Sequence, residues 1–396
     1  MSTTLMSSEH CPGMTGSAMA GGLQGSRGVF RAGRSLLVAD FRSRSKFTAA
    51  RNSKSMKVAL LGAAGPTGTC LSMFLKQSPL IDELAIHDAR PIDGLALELN
   101  HIDTRCRITS CSADQDTSLM ATLEDAKIVM VAAGEPRGQH DSMDEVLHRN
   151  ADVLADLIPA IIRHCPRSLV AVITEPVNSL IPMVHEMYKK VGVQEEGRLF
   201  GVTSLDCVRA NTFAAQILGL PPECVLVPVI GGSCPQTCVP LLSKAKPSNE
   251  FTAEEVNKLV RSLRNSSNEV RREYGGGGSS TLAMAFAAAR FCVSLCKGLR
   301  DQKGVVECAY VRSCVVPEVS YFSAPILLGP NGVQKHLGVP PLEGKECKLV
   351  DDAIPPLKAA IKKGEALALG PDAASSETCP PGAKCDIRKF ATAIRR

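Results

Sequence analysis

The chain of 396 residues is long enough for two packed domains with extensions, and its 44% hydrophobic, 21% charged and 4% aromatic composition is that of an ordinary α/β protein. No apolar run approaches the roughly 20 residues of a membrane span, so no transmembrane segment is predicted. The formal net charge of +5 is concentrated at the start: residues 1–55 carry eight arginines and lysines against Glu9 and Asp40, which leaves the remainder near neutral and without the basic footprint of a nucleic-acid-binding surface.

Residues 1–55 are rich in Ser, Gly and Arg and poor in acids, and the stretch from Val29 to Val38 can form a short basic amphipathic helix of mitochondrial transit type. Composition leaves two other readings open, a disordered cytosolic extension and a mis-assigned start upstream of Met56. A continuous apolar segment of secretory type is missing. The 16 cysteines include the pairs Cys234/Cys238 and Cys292/Cys296 but no second pair at zinc-ribbon spacing, so no metal site is predicted. A reducing compartment, mostly buried thiols and no disulfide framework are expected. Cys379 and Cys385 are expected to be accessible in the tail.

Ordered structure is predicted to begin at Met56. Lys57 to Leu61 is a compact apolar run suited to a buried parallel strand, and the loop Gly62, Ala63, Ala64, Gly65, Pro66, Thr67, Gly68 leads into a helix over Thr69 to Gln77. Further strands are read at Leu84 to Asp88, Ile128 to Ala133 and Leu169 to Ile173, with helices between them. Such alternation predicts an α/β fold with a parallel sheet covered on both faces. Beyond it, residues 252–272 read as a surface helix with Thr252 as N-cap. Gly275 to Gly278 interrupt it, and a small-residue helix follows from Thr281 to Cys296. A last helix is predicted over Lys358 to Leu369, then a tail over 370–396.

The 62–68 loop carries the first functional reading. Glycines there let the backbone turn tightly and approach a pyrophosphate, whose charge the following helix N-terminus would hold. Asp88 ends the second strand about 20 residues later, where a carboxylate accepts from a ribose 2′-OH and repels a 2′-phosphate, which favours NAD over NADP. Pro66, which lacks an N–H, and β-branched Thr67 depart from an ideal phosphate cradle.

These motifs, in order with Leu99-Asn100-His101-Ile102, Ala133-Gly134-Glu135-Pro136-Arg137, Glu175-Pro176-Val177-Asn178-Ser179, the segment Gly201 to Asn211, Pro228 to Gly232, Gly278 to Met284 and Gly304 to Cys308, resemble the mitochondrial/bacterial-type branch of the malate dehydrogenase family from Lys57 to about Leu369. The resemblance implies a doubly wound, NAD-binding Rossmann domain over 56–201, an α+β substrate domain over 202–369 and assembly as a homodimer or a subunit of a larger assembly. By position it implies that Asp206 holds the catalytic histidine, that Arg137 and Arg209 bind substrate carboxylates, and that Asn150, Ile173 and Met284 contact the cofactor. Three positions depart from the pattern. Ser233 stands at the histidine, Met143 at the loop arginine that polarises the carbonyl, and Glu175 at an asparagine contacting substrate and cofactor.

A serine hydroxyl is no base at neutral pH, a methionine cannot stabilise a developing alkoxide, and Glu175 adds a negative charge where a dianion would sit. The expected function is therefore a malate dehydrogenase-like structural or regulatory pseudoenzyme, with an active NAD-dependent malate or other 2-hydroxyacid dehydrogenase of altered substrate preference as the alternative. His140 and His148, between Arg137 and Asn150, with Arg149 in place of the arginine missing at 143, are the residues from which a migrated site would be built. Cys234 is read as an inert thiol rather than a nucleophile, since no basic neighbour is visible. Mitochondrial placement is expected from residues 1–55, with a cytoplasmic alternative.

Overall fold

The computed structural model describes residues 55–111, 115–193, 197–276 and 279–369. The expected presequence, the 370–396 tail with Cys379 and Cys385, and Gly277 and Gly278 lie outside the described residues.

Strand β1 (Lys57–Leu61) is sequestered on both faces, as its unbroken apolar run requires. Val58 and Leu60 point into one core and Ala59 and Leu61 into another, the two-residue alternation of a strand sandwiched between helical layers. In chain order there follow α1 (Pro66–Lys76), β2 (Glu83–His87), α2 (Asp93–Asn100), β3 (Arg107–Thr109), α3 (Gln115–Leu123), β4 (Ile128–Val131), α4 (Met143–His164), β5 (Leu169–Val172), α5 (Val177–Lys190) and β6 (Leu199–Gly201). These strands lie in the order β3-β2-β1-β4-β5-β6, and each of these pairings is parallel. The order reverses between β1 and β4, the crevice where doubly wound sheets bind ligands.

The remainder comprises α6 (Ser204–Leu218), β7 (Val229–Gly231), β8 (Cys238–Pro240), α7 (Ala253–Glu273), α8 (Thr281–Leu299), β9 (Val306–Arg312), β10 (Tyr321–Gly329), β11 (Gly332–His336) and α9 (Gly344–Leu369). Antiparallel β9, β10, β7 and β8 extend the sheet beyond β6, and β11 pairs with β10. Thr252 caps α7 in a reciprocal capping box with Glu255, as its sequence position suggests.

Helix α8 is long and apolar enough to cross a membrane by length and composition, but Ala285, Ala288, Phe291, Cys292 and Cys296 are packed in the core. Two expectations need correction. Helix α9 begins at Gly344 rather than after Pro355-Pro356, and runs through both prolines. The packing explains it: Val350, Ala353, Leu357 and Ile361 are buried, and α9 presses on α5 so closely that a Cβ at Gly364 would lie 1.8 Å from the Ser179 carbonyl oxygen. Finally, Cys314 is disulfide-bonded, whereas Cys106, Cys165, Cys238, Cys292, Cys296 and Cys308 are buried free thiols.

Candidate active site

The loop after β1 is shaped by contacts that exclude side chains. Gly62 adopts φ +89°, and a Cβ there would lie 2.4 Å from the Ala133 backbone at the end of β4. A Cβ at Gly68 would meet the Gly62 carbonyl oxygen at 1.9 Å, so two of the three glycines are required for the turn and for helix packing, whereas at Gly65 the nearest atom would stand 3.4 Å away. Gly62 and Ala63 both donate to the His87 carbonyl, tying the loop to β2. Pro66 occupies the first turn of α1, where an N–H has no helical partner in any case, and no side chain caps that helix end or places an acid in its first turn. The uncapped N–H groups and the dipole therefore suit a pyrophosphate.

Asp88 follows β2 directly and its side chain is nearly buried. Its Oδ2 accepts from the Ala64 N–H at 2.8 Å, while Oδ1 accepts from Arg90 N and Nε at 3.0 and 3.2 Å. These residues fit NAD, with Arg90 an addition that the sequence reading did not weigh. Ile173 and Met284 are buried in the core beside the cleft. Asn150 is buried too: its Oδ1 accepts from the Glu135 N–H at 2.7 Å and its Nδ2 donates to the Glu175 carbonyl at 2.6 Å, so it ties together the loops that leave β4 and β5.

Asp206 sits in the first turn of α6, and Ser233 lies just beyond β7. Ser233 Oγ donates to Asp206 Oδ2 at 3.1 Å, and its N–H donates to Asn178 Oδ1 at 2.9 Å. Asn178 is in turn held by Thr237 and Tyr310. Sequence reasoning quoted Asn178 in a motif without giving it this role. Burial pushes the Asp206 carboxyl up to about 6, with Arg209 and the Ser233 bond opposing and Glu175 reinforcing the shift. Cys234 Sγ shares a 2.9 Å hydrogen bond with Thr237 Oγ1.

Arg209 donates from Nη1 to Ser267 Oγ at 3.0 Å and from Nη2 to Ser280 Oγ at 2.6 Å, which aligns it between α7 and α8. Glu175 presents its side chain to solvent, yet the protein walls around it raise its carboxyl above the ordinary value against the pull of Arg209, Arg271 and Arg137. Arg271 was not among the candidates, because its place on an amphipathic helix beside Arg272 looks like solvated charge.

The loop residues are held largely by one another and by the start of α4. Arg137 Nε donates to the Asp141 carbonyl at 3.0 Å. Arg149 is held by Glu135 and by Asp141, and His148 Nδ1 bonds the Asp144 carbonyl on the exposed side of α4, while His140 is exposed. Met143 is the first residue of α4, 42% exposed, behind the N-cap Ser142.

The lactate/malate dehydrogenase NAD-binding domain matches residues 56–201 and the α/β C-terminal domain of the same family matches residues 203–368. Mitochondrial malate dehydrogenases from Caenorhabditis elegans and Homo sapiens are each 42% identical, over 81% of this chain and 93% and 94% of theirs. Among solved structures, Cryptosporidium parvum malate dehydrogenase superposes with a TM-score of 0.68 at 21% identity, covering 79% of this chain and 99% of that one. Lactate dehydrogenase from Eimeria maxima with NADH and oxamate gives 0.69 at 21% identity, covering 83% and 99%. With both halves matched and such identity across the body of the molecule, the chain belongs to the lactate/malate dehydrogenase family.

Proposed function

We propose that the protein is a malate dehydrogenase-like NAD-binding subunit that lacks efficient malate/oxaloacetate turnover and serves a structural or regulatory role. The observation that carries this reading is the 3.1 Å bond from Ser233 Oγ to Asp206, a hydroxyl where proton transfer needs a base. NAD supplies the hydride acceptor when bound. The uncapped start of α1 holds its pyrophosphate and Asp88 its ribose, while Arg137 and Arg209 bind carboxylate. Among the described residues, no imidazole stands beside Asp206 to take the hydroxyl proton, and Met143 brings no charge to stabilise the oxyanion. Loss of a positioned base alone costs about 10²–10⁴-fold.

The basic composition of residues 1–55, with mitochondrial relatives, supports import into mitochondria. Exposed Met73 and Phe74 on α1 and Leu282 and Phe286 on α8, with Phe74 and Phe286 edge-to-face at 5.9 Å, support a homodimer through this face.

The test is NADH fluorescence titration followed by NADH oxidation with oxaloacetate and a panel of 2-oxoacids. Binding with turnover below about 1% of an ordinary dehydrogenase is expected, in line with the loss of a base. Faster oxidation of any 2-oxoacid would overturn the proposal in favour of a dehydrogenase of altered specificity. The combination Ser233→His, Met143→Arg and Glu175→Asn restores base, electrophile and charge together, and raises oxaloacetate reduction at least about 100-fold.

A further inference from the structure

We propose that Arg271 is a carboxylate-binding residue of the cleft and that it keeps the site selective for small dicarboxylates despite Met143 and Glu175; this rests on reading the cleft as a ligand site that has lost turnover. Ser267 and Arg271 are four residues apart on α7 and so share one face of the helix. Ser267 accepts from Arg209 Nη1, which places that face at the wall of the cleft. Arg271 is half-buried there, and its Nε is buried without a hydrogen-bond partner. Its neighbour Arg272 is exposed and ion-paired with Glu273 at 3.1 Å, the ordinary condition of a surface arginine. A buried, unpaired guanidinium N–H is costly unless a ligand supplies the acceptor.

The charges converge on one place. Arg209, Arg271 and Arg137 all act on the Glu175 carboxylate. The Arg137 loop meets the end of α7, where a Cβ on Gly276 would lie 2.9 Å from the Gln139 side chain. Arg137 and Arg209 are offset by Glu175 and Asp206, which leaves no net charge to hold a dianion, and Arg271 makes the cleft positive. Because guanidinium offers paired N–H donors in a fixed plane, Arg271 and Arg209 can each take one carboxylate of a short dicarboxylate, with Glu175 opposing the anion.

Succinate tests this without interference from turnover, since it has neither hydroxyl nor keto group to react, and butyrate is a monocarboxylate of equal length. Calorimetric titration of the full chain saturated with NADH should show succinate binding at least about tenfold tighter than butyrate. Arg271→Met should remove at least about tenfold of succinate affinity and leave butyrate within about twofold, and Arg271→Lys, which keeps charge but not the planar fork, should fall between. Glu175→Gln should tighten succinate. Thermal melts of each variant report folding, and the lysine variant gives the reading if the methionine variant does not fold. Equal affinity of the unaltered protein for the two acids, no succinate binding, or unchanged succinate binding in a folded Arg271 variant would overturn the assignment. Turnover of oxaloacetate would instead overturn the non-catalytic reading and leave the succinate preference standing.

Discussion

Asp206 shows how a neutral partner sets the behaviour of a buried carboxylate. A buried carboxylate normally justifies its desolvation by holding a cationic partner, and here the partner is a neutral hydroxyl, Ser233. Its pKa stands raised from 3.8 to about 6. Because the folded value exceeds the unfolded one, the folded protein holds a proton that the unfolded chain releases, so this group lowers stability as pH rises from about 4 to about 6, with no penalty below that window and a constant one above it. Asp206→Asn cannot ionise. Relative to the unaltered protein it should gain about 2 kcal/mol between pH 4 and pH 7, on top of a fixed loss from the altered Ser233 bond, read by urea unfolding at each pH. Parallel pH profiles for the two proteins would show that Asp206 is not the titrating group.

Cofactor choice is also expected to turn on single residues. Asp88 would oppose a 2′-phosphate, but Arg90 places its guanidinium on the same carboxylate at 3.2 Å and is mostly exposed to an incoming ligand. NADH should remain the tighter ligand, and Arg90→Ala should widen the NADH/NADPH affinity ratio at least about threefold, by removing a cation held on Asp88. A ratio unchanged in fluorescence titration would mean that Arg90 does not reach the phosphate position. The places of Asp88 after β2 and of Ser233 beyond β7 were legible in the sequence because each falls in a motif of fixed spacing. Arg90 and Arg271 were not, because nothing local distinguishes an arginine facing a cleft from one facing solvent.

At the scale of elements, legibility followed the strength of local signals. The strand, glycine loop and helix from Lys57 to Lys76 combine an apolar run, obligatory glycines and a proline suited to a helix start, all favouring one conformation. Strands β9 and β10 carry no comparable punctuation and went unassigned, and Pro355-Pro356 argued for a break that burial of α9 against α5 overrides. The glycine loop gives a sharp test. Gly68→Ala would drive a methyl into the Gly62 carbonyl at 1.9 Å and should abolish NADH binding while lowering Tm, whereas Gly65→Ala, with 3.4 Å of clearance, should retain the fold. Similar melting temperatures for the two variants would show that the loop relaxes. On α4, the reciprocal bonds of Ser142 and Glu145 fix the helix start just behind Met143, and Ser142→Ala should cost about 1 kcal/mol in urea unfolding without altering NADH affinity.

At the scale of the whole molecule, the parallel half of the sheet carries the cofactor crevice of an NAD-binding domain, and beyond it Asp206, Ser233 and Arg209 lie together. Nothing in the stability of either half depends on turnover: Asn150 ties the strand-end loops, Asn178 holds Ser233, and the apolar cores on both sheet faces are filled. A protein so built can persist as a partner in an assembly, and the exposed face of α1 and α8 is where that assembly is expected. Met73, Phe74, Leu282 and Phe286 are 38 to 61% exposed there, apolar side chains whose burial against a second copy would each contribute about 1 to 2 kcal/mol. Phe74→Glu with Phe286→Lys breaks the edge-to-face pair and sets charges into this surface. Sedimentation equilibrium should then show a dimer for the unaltered chain and a monomer for the variant. A monomer in both cases would remove the homodimer from the proposal, and a dimer in both would place its contact on another face.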